Sequence, residues 1–205
     1  MSSRLWLTLR SQVSLIEKTY ITFAYDPLGN YSRENLLNAA SYLLLIHAEL
    51  ETYIEGCVRR AIRASEKGWT KNRRTCRPLV ASCLFSSKSA TPDKHSTKDE
   101  LGGFVTSALK NAEAKLSGNH GIKEHNIIPL LHVIGFPVEK ADPILIAELD
   151  AIGSIRGDHA HNSARQHFAA RFDPFAIKSK IEGALKLLEK FDVEFSIYYQ
   201  NQFGK

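Results

Sequence analysis

An all-helical bundle is the fold class that this 205-residue chain predicts, on three observations. Apolar residues recur at three- and four-residue spacing through most of its length. No alternating run is long enough to demand a sheet, and helix start signals stand before the periodic stretches. The composition, 43% hydrophobic and 24% charged, is ordinary for a globular chain able to bury a core. A single domain over 1–205 is expected, with 1–30 forming an N-terminal helix and turn and 68–98 a basic loop or insertion.

Residues 4–23 carry Leu5, Leu9, Val13, Ile16 and Tyr20 at helical spacing, and Asp26-Pro-Leu-Gly-Asn ends the period. Ser32, followed three residues later by Asn35, opens a long amphipathic stretch through Leu36, Ala40, Leu43, Leu44, His47, Leu50, Ile54, Cys57, Val58, Ala61 and Ile62. From Gly68 to Lys98 the residues turn to Lys, Arg, Ser, Thr and Pro around a small apolar island, Leu79 to Phe85. Loops of that length are uncommon inside compact domains, so the segment is either an insertion with structure of its own or a mobile binding element.

Leu101, Val105, Leu109, Ala112 and Leu116 resume the helical period, which Ser117-Gly-Asn-His-Gly stops. A short helix over Ile127 to Ile134 halts at Gly135-Phe-Pro. Asp142 as cap and Pro143 at the first helical position start the run that reaches Arg156. Asp173-Pro174 repeats that signal before a last helix with the stripe Ile177, Ile181, Leu185, Leu188, Phe191 and Phe195.

The formal charge of +5 and a pI near 9.1 fit a polyanionic partner, nucleic acid first. Arg59, Arg60, Arg63, Lys67, Lys71, Arg73, Arg74 and Arg77 fall close together, opposed only by Glu66. They read either as a solvated helix end running into a loop or as a phosphate-tracking surface for RNA, with Arg59, Arg60, Arg63, Arg73 and Arg74 as the contacts. Trp69 is the only interleaved aromatic, so base-specific readout has no signature here. No apolar run approaches the roughly 20 residues that cross a bilayer. The N-terminus lacks a secretory pattern, so a cytoplasmic protein without a membrane partner is expected. Cys57, Cys76 and Cys83 form no pairing or zinc framework and are read as reduced thiols, Cys57 on a buried face; neither metal nor cofactor is expected.

Nucleotide-binding glycine loops, a nucleophile elbow and a zinc-protease helix are all absent, which excludes several enzyme classes. What remains is Ser-Ile-Arg-Gly-Asp-His-Ala-His-Asn, in which Arg156 and His161 are separated by four residues. A guanidinium binds phosphate and an imidazole moves protons near neutral pH, the two tasks of phosphodiester cleavage. On a straight helix this separation turns the side chains about 140° apart. Convergence therefore needs a helix that loosens after Gly157 or a second copy of the segment. The structural alternative is a polar helix end packed on the last helix.

Asn126-Ile-Ile-Pro-Leu-Leu-His-Val-Ile-Gly, Leu149 to Ile155 and Arg156-Gly-Asp-His-Ala-His161, in that order, resemble the HEPN superfamily. The match is most similar to the RiboL-PSP HEPN branch, where Arg-Asn-x-x-Ala-His follows an Asn-Ile-x-x-Leu-Leu-x-x-Ile-Gly element. Glu49-Leu-Glu-Thr-Tyr53 resembles that branch's first conserved helix, so the likeness covers about 35–195. It implies a HEPN-like bundle with a basic insertion between the second and third long helices, and a homodimer with two motifs facing across a cleft.

The resemblance further implies a metal-independent endoribonuclease, with Arg156 on the scissile phosphate and His161 as general acid or base. It points to a toxin or effector of a prokaryotic toxin-antitoxin or phage-defence system, held by an antitoxin or defence partner. The alternative is a non-catalytic HEPN adaptor that binds RNA or a partner protein. Gly157 departs from the polar residue that often follows the Arg, and Asp158, His159 or Asn162 are the candidates to support His161 instead. Asp158 has the strongest case, because a carboxylate fixes an imidazole's tautomer. Ser163 stands where some toxin members have Tyr.

His47 is expected to be a satisfied core histidine, and His120, His125 and His132 are not spaced as metal ligands. Glu49 and Glu51 are expected to pair with a basic residue of the bundle rather than to approach the cleft.

Overall fold

The computed structural model describes residues 2–87, 100–161 and 173–204, with the backbone alone described at 87 and 158–161. Among the described residues there are seven α-helices and no strand: α1 (Arg4–Tyr20), α2 (Arg33–Asn72), α3 (Arg77–Ser87), α4 (Glu100–Ser117), α5 (Glu124–Val133), α6 (Pro143–His161) and α7 (Pro174–Phe203). A single 3-10 turn, Val138–Lys140, links α5 to α6.

The caps read from the sequence are made. Ser32 accepts the Asn35 N–H at 3.1 Å and opens α2. Asp142 accepts from Ile144 at the start of α6, and Asp173 from Phe175 and Ala176 at the start of α7. α1 stops at Tyr20, the last residue of its apolar period and three before the end of the 4–23 stretch.

α2 is the spine: its 40 residues extend for about 60 Å at 1.5 Å per residue. Its buried stripe, including Leu43, Ile46, Leu50, Ile54, Val58 and Ile62, is spaced by three or four residues and meets all six other helices. Each of those aliphatic side chains contributes up to about 2 kcal/mol by leaving water. α1 lies along α2, α3 pairs with α4, and α6 pairs with α7. Phe136, just after α5, fills the gap against Phe191, Phe195 and Tyr198 of α7.

The basic segment differs from its expected form. Residues 68–72 complete α2, and Arg77–Ser87 is a helix whose Leu79 is buried, so the apolar island is core rather than loop. α2 ends on Arg73 in the left-handed region (φ 52°), whose N–H bonds back to the last turn. Gln202 of α7 then accepts the Arg77 N–H at 3.0 Å, capping α3 from the far end of the chain. Residues 88–98 of the expected insertion lie outside the described residues.

Asp192, 1% exposed, ties the N-terminus to the bundle: it accepts from Ser3 N at 2.8 Å, from Ser3 Oγ and from Tyr53 Oη at 2.9 Å. The three cysteines are free, with Cys57 buried. No helix among the described residues is long and apolar enough to cross a membrane.

Candidate active site

His47, Glu51 and Glu55 follow one another at four-residue intervals, which stacks them on one face of α2. Against that face lies the α4–α5 connection. Asn119 Nδ2 donates toward Glu51 Oε1 (3.3 Å), Glu55 Oε1 (3.1 Å) and the Gly121 carbonyl (3.0 Å). One amide thereby holds two carboxylates that would otherwise repel each other. Gly121, at φ 151°, gives the connection the backbone course that brings Asn119 inward.

α6 supplies Arg156 to the same place. Asp150 accepts the Glu124 N–H at 3.0 Å, fixing α6 to the start of α5. One turn before Arg156, Gly153 lets α6 press on the connection, for a Cβ there would stand 2.9 Å from Lys123 Cγ. Arg156 is half-buried, and its charge reaches both His47 and Glu51.

Burial, and then the Arg156 charge, lower the His47 pKa to about 4. His47 is therefore neutral at pH 7, and its 3.9 Å approach to Glu51 is not an ion pair there. The Glu51 carboxyl is pushed above its ordinary value by burial and by Glu55, while the Gly121 backbone, Arg156 and His120 pull it down. With His47 neutral, the Arg156 guanidinium is the permanent positive charge acting on both His47 and Glu51, and the group suited to a phosphate oxygen.

Glu51 has His47 at 3.9 Å and lies within the electrostatic reach of Arg156 of the motif. Glu49 is half-buried elsewhere on the helix, and His47 is buried as expected. Asn119 and Glu55 were not among the sequence candidates; their only signal was the polar turn Ser117-Gly-Asn-His-Gly and the four-residue step from Glu51 to Glu55.

α6 remains helical through His161, so the backbone does not loosen after Gly157. The backbone positions of residues 156 and 161 therefore lie about 140° apart around the axis of α6. The side chains of His161, Asp158 and His159, and the whole of Asn162, lie outside the described residues. At Gly157 an added Cβ would meet nothing within 4 Å.

The basic candidates separate into two groups. Arg59, Arg60 and Arg63 line an open groove beside α1 and α7. Arg73 and Arg74 sit at the end of α2: Arg73 lies over Trp69 with Cζ 5.0 Å from the ring centre, and Arg74 donates to the Gln202 carbonyl at 3.2 Å.

An all-α bundle that carries Arg-x4-His on a late helix has the form of a HEPN-type domain. The RiboL-PSP-HEPN family model matches residues 9–196, and the chain belongs to that family. Comparison with curated proteins and with solved structures finds no match. HEPN domains often have ribonuclease activity, bind RNA or form dimers.

Proposed function

We propose that this protein is a metal-independent endoribonuclease that works as a homodimer with a composite Arg-His site. The observation that carries the reading is the polar cluster near Arg156, where His47 is neutral and Asn119 holds two carboxylates, and the guanidinium is the group suited to a phosphate. The helical course of α6 supports the dimer, because motif residues 140° apart in one chain act together only across a two-fold axis.

In the proposed reaction Arg156 holds and polarises the scissile phosphate. His161 of one protomer takes the proton of the ribose 2′-hydroxyl as that oxygen attacks phosphorus. The bond to the 5′ oxygen breaks, and the departing oxygen receives a proton relayed back from that same imidazolium through water, Arg156 of the other protomer completing the site. The products are a 2′,3′-cyclic phosphate and a 5′-hydroxyl. Asp158 supports His161 in this scheme, with His159 and Asn162 as neighbours. The setting proposed is cytoplasmic, in a prokaryotic toxin-antitoxin or phage-defence system whose partner protein restrains the activity.

RNA incubated with the full chain in EDTA tests the reading. Cleavage should fall by about 10²-fold or more in folded Arg156→Ala and His161→Ala. Mixing the two variants should restore up to about a quarter of the wild-type rate, since random pairing rebuilds one intact site in each mixed dimer. Undiminished cleavage by both variants rejects the mechanism, and no recovery on mixing rejects the composite site. Gly157 favours a second reading, the non-catalytic adaptor, because it offers no side chain to orient an imidazole. Salt-sensitive RNA binding with no turnover would establish it.

A further inference from the structure

The first turn of α1, the middle of α2 and the last turns of α7 enclose an open groove of about 900 Å³. Arg4, Arg59, Arg60, Arg63 and Lys67 line it, and no carboxylate does. Most of the remaining lining is serine, threonine and glutamine. Arg59, Arg63 and Lys67 are four residues apart, so they climb one face of α2 in steps of about 6 Å, a ladder suited to successive phosphates of an extended strand. Arg60 lies over Tyr199, with Cζ 4.0 Å from the ring centre. A guanidinium backed by an aromatic ring is a platform on which a nucleobase stacks.

Glu55 of α2 connects the groove to the Arg156 cluster. Arg59 reaches Glu55 at 3.5 Å, and Glu55 shares Asn119 with Glu51, beside Arg156. Both carboxylates are largely buried, at 22% and 18% exposure, so they do not line the route along α2. A lipid surface would call for apolar side chains around the cations, and the hydroxyl-rich lining suits ribose and phosphate instead.

We infer that this groove is a second RNA site, apart from the cleavage motif, which holds single-stranded RNA by its phosphates and stacks one base on the Arg60–Tyr199 pair. The choice of RNA rests on the ribonuclease reading; the groove itself rests on the lining, charge and spacing above.

The test is fluorescence anisotropy of a labelled, uncleavable 2′-O-methyl RNA 12-mer, about long enough to span the groove and the motif, with the full chain across a range of salt. The exposed pair Arg63→Ala/Lys67→Ala should weaken binding about tenfold and flatten the log–log salt dependence by roughly 0.7 per cation removed. Tyr199→Leu should weaken it about fivefold with the salt slope unchanged. In cleavage assays the double variant should raise KM and leave kcat as it is. Wild-type affinity and slope in the double variant, with circular dichroism showing it folded, overturn the inference. So does groove-dependent binding to anionic vesicles with none to RNA. Groove-dependent RNA binding without any cleavage upholds the groove and rejects the ribonuclease reading; cleavage with KM unchanged in the double variant does the reverse.

Discussion

Removing the guanidinium at Arg156 should let His47 take up its proton at higher pH. His47 titrates at about 4 instead of 6.5, with burial as the larger cause and the Arg156 charge as the second. At 1.36 kcal/mol per pH unit, that interval is worth about 3 kcal/mol in favour of the neutral ring. Arg156 supplies the smaller share, below about 2 kcal/mol. In Arg156→Ala the His47 midpoint should therefore climb by less than half of the interval and stay below 6.5, as read by NMR titration of the imidazole. A midpoint that stays at about 4, or falls, would refute the placement of Arg156 beside α2.

The same shift sets a pH dependence of stability. The folded midpoint of His47 lies below the unfolded one, so its contribution is complete above pH 6.5 and is lost as pH falls toward 4. The loss by His47 alone is on the order of 3 kcal/mol. Glu51 acts oppositely: its raised folded pKa means that acid protonates the native carboxyl first, which returns part of the loss. His47→Gln has no proton to take up, and denaturant unfolding should show a flatter profile between pH 6.5 and 4.

Two further outcomes follow from the packing. Asp192→Ala leaves the Tyr53 hydroxyl and Ser3 N–H without their acceptor, and should cost about 3 kcal/mol in denaturant unfolding; a loss under about 1 kcal/mol would show that this anchor is dispensable. Gly157→Ala should stabilise the protein by about 1 kcal/mol, because the Cβ enters open space on a helix. Gly153→Ala should lose that gain against Lys123 Cγ, and equal thermal shifts for the two variants would contradict the close approach of α6.

The helix that was hardest to read is α3. Its start has no side-chain cap of its own: Gln202, 125 residues away in sequence, accepts the Arg77 N–H. The helix before it ends on an arginine in the left-handed region rather than on a glycine, so the usual stop signal is missing. With neither local mark present, a run rich in Arg, Ser and Thr reads as loop. At the site, Arg156 was legible from its own motif, but Asn119 was not. A single asparagine in a turn has the letters of any turn residue.

Apart from α3 and the last turn of α2, helix positions were legible in the sequence alone, because the hydrogen bonds that make a helix join residues four apart and write their period and caps locally. Family membership followed from the same local order of motifs. The tertiary structure alone decided which faces met. It brought Arg156 against His47 and Glu51 across more than 100 residues, joined Arg4 to the α2 cations, and drew Arg74 away to the end of α7. Those neighbourhoods depend on how buried surfaces pack between distant helices, and no spacing along the chain encodes that.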